Sequence, residues 1–172
     1  MRQTAWAPVW VVVLAVAAAA ASCQKAPPDI VSRKGEPDFI PTFEDDPEMV
    51  AAMRQARETL PAFVKALQTP PPGSRGFAIK KGFPAGKQEE FIWLSGVTLV
   101  KDGFRARIDN EPVWATDVKL GDSILVKKAD VADWMYVQHH ELVGGYTVRV
   151  LFKREPPEKQ REMERDAFRI PR

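Results

Sequence analysis

Residues 45–73 read DDPEMVAAMRQARETLPAFVKALQTPPPG, and this stretch decides the fold class. Asp45 and Asp46 stand where a helix needs acceptors for its first unpaired N–H groups. Pro47 suits the first turn, and Glu48 suits the positive end of the helix dipole. Met49, Met53, Ala56, Leu60, Phe63 and Leu67 then recur at alternating spacings of four and three, which is one face of a helix. Arg54, Gln55, Arg57, Glu58 and Lys65 lie off that face. The apolar stripe is read as core-facing rather than as a ligand groove. Pro61 is expected to kink the helix or split it, because its ring lacks an N–H and crowds the preceding turn. Pro70-Pro71-Pro72-Gly73 ends it.

Beyond Gly76 the apolar period shortens from that of a helix to that of a strand. Gly76–Lys81 reads as one strand and residues 90–100 as a longer one, with Gly96 at a bulge. Lys101-Asp102-Gly103 is a hairpin turn. Phe104-Arg105-Ala106-Arg107-Ile108 alternates apolar and basic, so one side is buried and the other solvated. Asp109-Asn110-Glu111-Pro112 is a turn, and Leu120-Gly121-Asp122 is another that feeds Ser123–Val126. Asp130–Val137 is a further strand, and Gly144-Gly145 opens Tyr146–Phe152, expected as the last strand. The expected fold is α+β, an N-terminal helix packed on a small curled antiparallel sheet.

Outward from this domain the composition changes on both sides. An apolar run from Val9 through Ala21 follows Arg2, the only charge before Lys25. The run is shorter than the roughly twenty residues of a membrane-spanning helix and has the form of a secretory signal. Ala20-Ala21-Ser22-Cys23 resembles a bacterial lipobox with Ala at the position where Leu is usual. That resemblance implies removal of residues 1–22 and lipid attachment at Cys23; two kinds of acyl linkage anchor stably. The alternative is an ordinary signal cleaved after Ala19-Ala20-Ala21, leaving Cys23 as a free thiol. Gln24 rather than Asp follows the cysteine, so sorting convention suggests the outer membrane, periplasmic face, if the host has two membranes. Residues 23–45, with Pro27, Pro28, Pro37 and Pro41, read as an extended tether; a strand docked through Phe39, Ile40 and Phe43 is the alternative. Residues 153–172 read as a flexible charged tail, weakened as a helix by the like-charge pairs Glu158–Glu162 and Arg161–Arg165. The domain itself is expected over residues 46–152.

Composition excludes several functions. The chain has 172 residues, 25 basic and 23 acidic, for a net charge of +2. A nucleic-acid binder would carry a dense basic face, and none is expected as partner. A single cysteine excludes an internal disulfide framework or a Cys-rich zinc site. The two histidines, His139 and His140, are adjacent, have no third ligand at a recognised spacing and read as a solvated loop. No nucleotide-binding glycine pattern occurs, so no cofactor or metal is expected. Ser95 and Ser123 have no nucleophile signature around them.

Residues 48–152 resemble the DUF2314 family, the group containing small YegJ-like bacterial proteins. The resemblance is carried by Leu60-Pro61-Ala62-Phe63, Glu89-Glu90-Phe91-Ile92-Trp93-Leu94, Asn110-Glu111-Pro112, Gly121-Asp122, Asp133-Trp134-Met135 and Gly144-Gly145-Tyr146-Thr147-Val148-Arg149. Phe91 departs from the His that the resemblance implies between Glu90 and Ile92. The family's name records an unknown function, so the resemblance implies a boundary and a fold rather than an activity.

Two function classes follow. The first is a non-enzymatic binding module, lipid-anchored through Cys23 in the bacterial envelope. It would meet an envelope protein through a sheet edge or an aromatic rim, with Trp93, Asn110, Glu111, Asp133, Trp134 and Arg149 as candidate contact residues. The alternative is a small envelope hydrolase using carboxylates among Glu89, Glu90, Glu111 and Asp133, near Trp93, Trp114 and Trp134. Asp133 and Arg149 are expected either to form a structural charge pair or to grip a ligand.

Overall fold

The structure is a computed structural model that describes residues 46–171 and the backbone of residues 31–33 and 36–39. The signal segment, Cys23 and most of the tether lie outside the described residues. Within the tether, β1 (Val31–Arg33) pairs antiparallel with β2 (Glu36–Phe39).

Helix α1 (Pro47–Gln68) starts where the sequence places it. The Asp46 carboxylate accepts from the Glu48 N–H at 3.0 Å and the Met49 N–H at 3.3 Å. Arg154 reaches back to both Asp46 and Glu48 and holds the Asp46 pKa below its usual value. The helix runs unbroken through Pro61, which sits on the exposed side, so the expected split does not occur. Met49, Ala52, Ala56, Leu60, Phe63 and Ala66 are its buried face. Three alanines on that face let the helix lie close to the sheet.

The sheet has six strands, all antiparallel: β3 (Ser74–Ala85), β4 (Gln88–Val100), β5 (Gly103–Ile108), β6 (Ser123–Lys127), β7 (Val131–Gln138) and β8 (Glu141–Gly144). Their order is β6-β5-β4-β3-β7-β8. Strand alternation sends Ile79, Leu94, Phe104, Ile108, Val126 and Trp134 to the α1 side. Phe63 stands at the centre, fully buried, with the rings of Trp134, Phe77 and Phe104 at 5.4, 5.9 and 6.0 Å. The Trp134 indole N–H donates to the Ala56 carbonyl at 2.9 Å, which satisfies its polar edge and fixes β7 against the helix.

Tyr146–Phe152 is not a strand. Residues Tyr146–Arg154 form helix α2. Gly144 and Gly145 both have positive φ, a region open to glycine, and turn the chain off β8. A side chain at Gly144 would strike the Trp134 carbonyl and ring. The β-branched residues then enter a helix because its first N–H groups are satisfied by Asp133, on β7, rather than by a neighbouring residue in sequence. Val148 packs with Leu142 and Ile170 in a second apolar cluster, joined by Trp93, Met135, Phe152 and Phe168.

The last twenty residues also differ from the flexible tail expected of them. Lys153 and Arg154 finish α2, and Pro157–Asp166 forms helix α3. The like-charge pairs are offset by Lys159–Glu155 at 3.7 Å and by the Gln160 amide donating to the Glu155 carbonyl at 2.8 Å. Beyond α3 the chain docks on β8: the Arg169 N–H donates to the His140 carbonyl, and the Leu142 N–H to the Arg169 carbonyl, both at 2.8 Å. Ile170 is buried there. Burial of this one apolar residue, with two backbone bonds, outweighs the polarity of the segment.

Candidate functional site

Trp93, Lys80 and Asp133 lie side by side across β4, β3 and β7, because Lys80 is in register with both of the others. A register shift between Lys80 and Lys81 accommodates Ala132 as an extra residue, so Val131, Ala132, Asp133 and Trp134 are all buried. The Asp133 carboxylate accepts from four donors. They are the Trp134 N–H at 2.8 Å, the Tyr146 N–H at 3.2 Å, and the Thr147 N–H and hydroxyl at 2.7 Å each. The Lys80 ammonium donates to the Thr147 hydroxyl oxygen at 3.4 Å and lies 5.6 Å from the Trp93 ring centre. Burial pushes the Asp133 pKa up; the Thr147 bonds, the Lys80 charge and the Trp134 N–H oppose it. Burial pushes the Lys80 pKa down, opposed by the Asp133 charge. The cluster is two buried opposite charges bridged by the Thr147 hydroxyl, with the Asp133 carboxylate filled by its four donors.

The expected Asp133–Arg149 pair is not formed among the described residues; the buried cation beside Asp133, linked to it through the Thr147 hydroxyl, is Lys80. The Arg149 guanidinium instead donates to three carbonyls: Leu142 at 2.7 Å, Pro171 at 2.8 Å and Gly144 at 2.9 Å. Arg149 therefore ties α2 to β8 and to the C-terminal segment. Its fork fits three backbone acceptors better than it fits a carboxylate already saturated by N–H donors.

Glu90 is equally committed. Its carboxylate, 3% exposed, accepts from the N–H groups of Val113, Trp114 and Ala115, each at 2.8 Å at its nearer oxygen. Three successive N–H groups converging on one carboxylate pin the segment between β5 and β6. Asn110, half-buried, and Glu111, exposed, lie at the start of that segment. Trp134 belongs to the core, and Trp93 joins the second cluster. The sequence-derived candidates thus divide into a buried set around Asp133 and an exposed set on the 109–122 segment.

Lys80 was missed because nothing local sets it apart from Lys81 within the expected strand Gly76–Lys81. The available signal was Asp133 itself, a carboxylate inside the apolar run Val131–Val137, which demands a buried cation. His139 and His140 form the two-residue turn between β7 and β8, both with positive φ. Among the described residues no group of three or more His, Cys, Asp or Glu has metal-binding geometry.

An open cleft of about 450 Å³ lies between α1 and the β3–β4 hairpin, with Arg57, Lys81, Glu89 and Asp130 on its walls. Phe91, the departure from the family resemblance, also lines it. A second set of exposed groups is apolar. Leu125, Leu120, Trp114 and Val113 are 67%, 52%, 46% and 39% exposed, and they are four of the five most exposed large apolar side chains among the described residues. All four fall within the 109–122 segment and β6.

This is a small α+β domain whose buried charges hold the backbone together. The chain belongs to the family described as "Uncharacterized protein conserved in bacteria (DUF2314)", which matches residues 46–167. It is 30% identical over 119 residues to "Uncharacterized protein YegJ" of Escherichia coli (strain K12), covering 69% of this chain and 76% of that protein. No solved structure matches it. The match extends beyond the expected boundary at 152 and takes in α3.

Proposed function

We propose that the chain is exported, lipid-anchored at Cys23 in the cell envelope, and works as a binding module without chemistry of its own. Its partner is an envelope protein that meets the apolar surface formed by the 109–122 segment. The observation that carries this reading is the division of labour among its side chains. Glu90 and Asp133, the two buried carboxylates, are saturated by backbone and hydroxyl donors, and Arg149 by carbonyls. Two of the exposed apolar groups, Val113 and Trp114, stand where Glu90 holds the backbone. A rigid aromatic on a pinned loop loses little entropy on binding, which favours recognition. The lipobox-like Ala20-Ala21-Ser22-Cys23 supports the anchor. No helix among the described residues is long and apolar enough to cross a membrane.

The test uses the full-length chain in its native membranes, with a photo-crosslinker at position 114 and a control at exposed position 58. A single adduct from 114 that is absent from 58, together with lipid mass on Cys23, fits the reading. Cys23→Ala should release the protein from the membrane fraction and lose the adduct. A soluble wild-type protein, or equal labelling from both positions, refutes it.

A further inference from the structure

We infer that β6 is the seam of a symmetric dimer, pairing antiparallel with β6 of a second copy. The inference goes beyond the binding module proposed above and does not depend on the anchor. The six-stranded sheet has two edges. The β8 edge is closed by the backbone of Arg169. The β6 edge has no neighbour among the described residues, so pairing there stops at two copies instead of growing a fibre.

The sequence of β6 is complementary to itself. Centred on Leu125, the antiparallel register sets Leu125 against its own copy, the most exposed large apolar side chain meeting its equal. Ser123 then faces Lys127. On the other side of the strand Ile124 faces Val126, so the apolar core continues across the seam, and just past the strand's ends Asp122 stands toward Lys128, the first residue of the following 3-10 turn, twice by symmetry. Opposite charges and apolar pairs directly across a ladder stabilise it, and like charges destabilise it. Moving the centre to Val126 sets the exposed Leu125 against Lys127, an apolar side chain against a charge. Moving it to Ile124 sets Asp122 against the core-facing Val126. Only the Leu125-centred register satisfies both faces.

The test uses residues 24–172, which retain every described strand, helix and apolar cluster and contain no cysteine. Sedimentation over a concentration series should show a monomer–dimer equilibrium. Leu125→Cys should give a disulfide-linked dimer on mild oxidation, since directly opposed Cβ atoms, about 4.5–5.5 Å apart, need close by only about 1 Å to reach disulfide range. Lys65→Cys, on the exposed side of α1, should remain monomeric. Lys128→Glu replaces two attractive pairs by two repulsive ones and should weaken the dimer roughly tenfold; adding Asp122→Lys should restore it. Circular dichroism checks that each variant is folded. A monomer at every concentration, or equal crosslinking from positions 125 and 65, overturns the proposal. Because this protein carries no lipid, its behaviour is separate from success or failure of the anchored module.

Discussion

Substituting the two buried charges, Asp133 and Lys80, should have very unequal consequences. In Asp133→Asn the shape is kept, but one carbonyl oxygen replaces two carboxylate oxygens. The four donors facing Asp133 are the N–H groups of Trp134, Tyr146 and Thr147 and the Thr147 hydroxyl. An amide oxygen serves about two of them, and the new NH₂ group confronts the rest. Each buried donor left unpaired costs about 1–3 kcal/mol. Lys80, buried beneath Trp93, also loses its counter-charge. With about two donors left unpaired, we expect about 4 kcal/mol here. Lys80→Met differs, because Asp133 keeps all four donors, no direct ion pair is broken and methionine fills the stem's volume; its cost at neutral pH should be about 1 kcal/mol.

The Lys80→Met variant should also respond to pH in a defined sense. The folded pKa of Asp133 is raised above its unfolded value of 3.8. Its stabilising share is therefore complete below that value and is lost as pH rises through the folded pKa. Without the Lys80 charge the folded pKa rises further, so the gap between Lys80→Met and wild type should widen from pH 4 upward. Urea unfolding measures both variants, and hydrogen exchange at Tyr146 and Thr147 should lose protection only in Asp133→Asn. Equal costs for the two substitutions, or a Lys80→Met deficit that shrinks with rising pH, would refute the assignment of Asp133 as the distant cap of α2.

Glu90→Gln should cost about 2 kcal/mol by leaving one of three N–H groups unpaired, with faster exchange confined to Val113–Ala115 by mass spectrometry. His140→Gly should stabilise by about 1 kcal/mol in thermal unfolding, because it relieves a left-handed backbone at φ 67°. The folded pKa of Asp46 is depressed by the Arg154 bond, so its contribution is present above the unfolded value of 3.8 and is lost as pH falls through the folded pKa. Asp46→Asn keeps a helix cap but lacks that charge, and its acid unfolding curve should be flatter than that of wild type below pH 4.

What was legible in the sequence was local. Asp46, Pro47 and the four-three apolar spacing place α1 because the cap and the stripe lie within the helix they define. Lys101-Asp102 and the alternation of Phe104–Ile108 place the β4–β5 hairpin for the same reason. The failure at Tyr146–Phe152 has the opposite cause. Its composition favours a strand, and the group that starts the helix lies 14 residues upstream of Thr147, on another strand. The C-terminal segment was misread in the same way, since Arg149 and the β8 edge that receive it are remote in sequence. Site residues followed the same rule: Asp133 was visible as an anomaly in an apolar run, while its partner Lys80 became identifiable only once β3 and β7 were in register.

The two buried carboxylates share one structural logic. Glu90 holds an irregular segment and Asp133 starts a helix on a left-handed glycine, and in neither place does the local chain supply acceptors for the N–H groups. Each is a non-local cap, exchanging one desolvated charge for several satisfied backbone groups. Asp133, on a strand buried on both sides, also feels the buried charge of Lys80, which adds to its four donors. Glu90 meets its three N–H groups at the margin of the fold, where Val113 and Trp114 are open to solvent. The consequence reaches the surface. Apolar side chains that would be an aggregation hazard on a loose loop are held in one conformation, and a surface that is both apolar and rigid is suited to recognition.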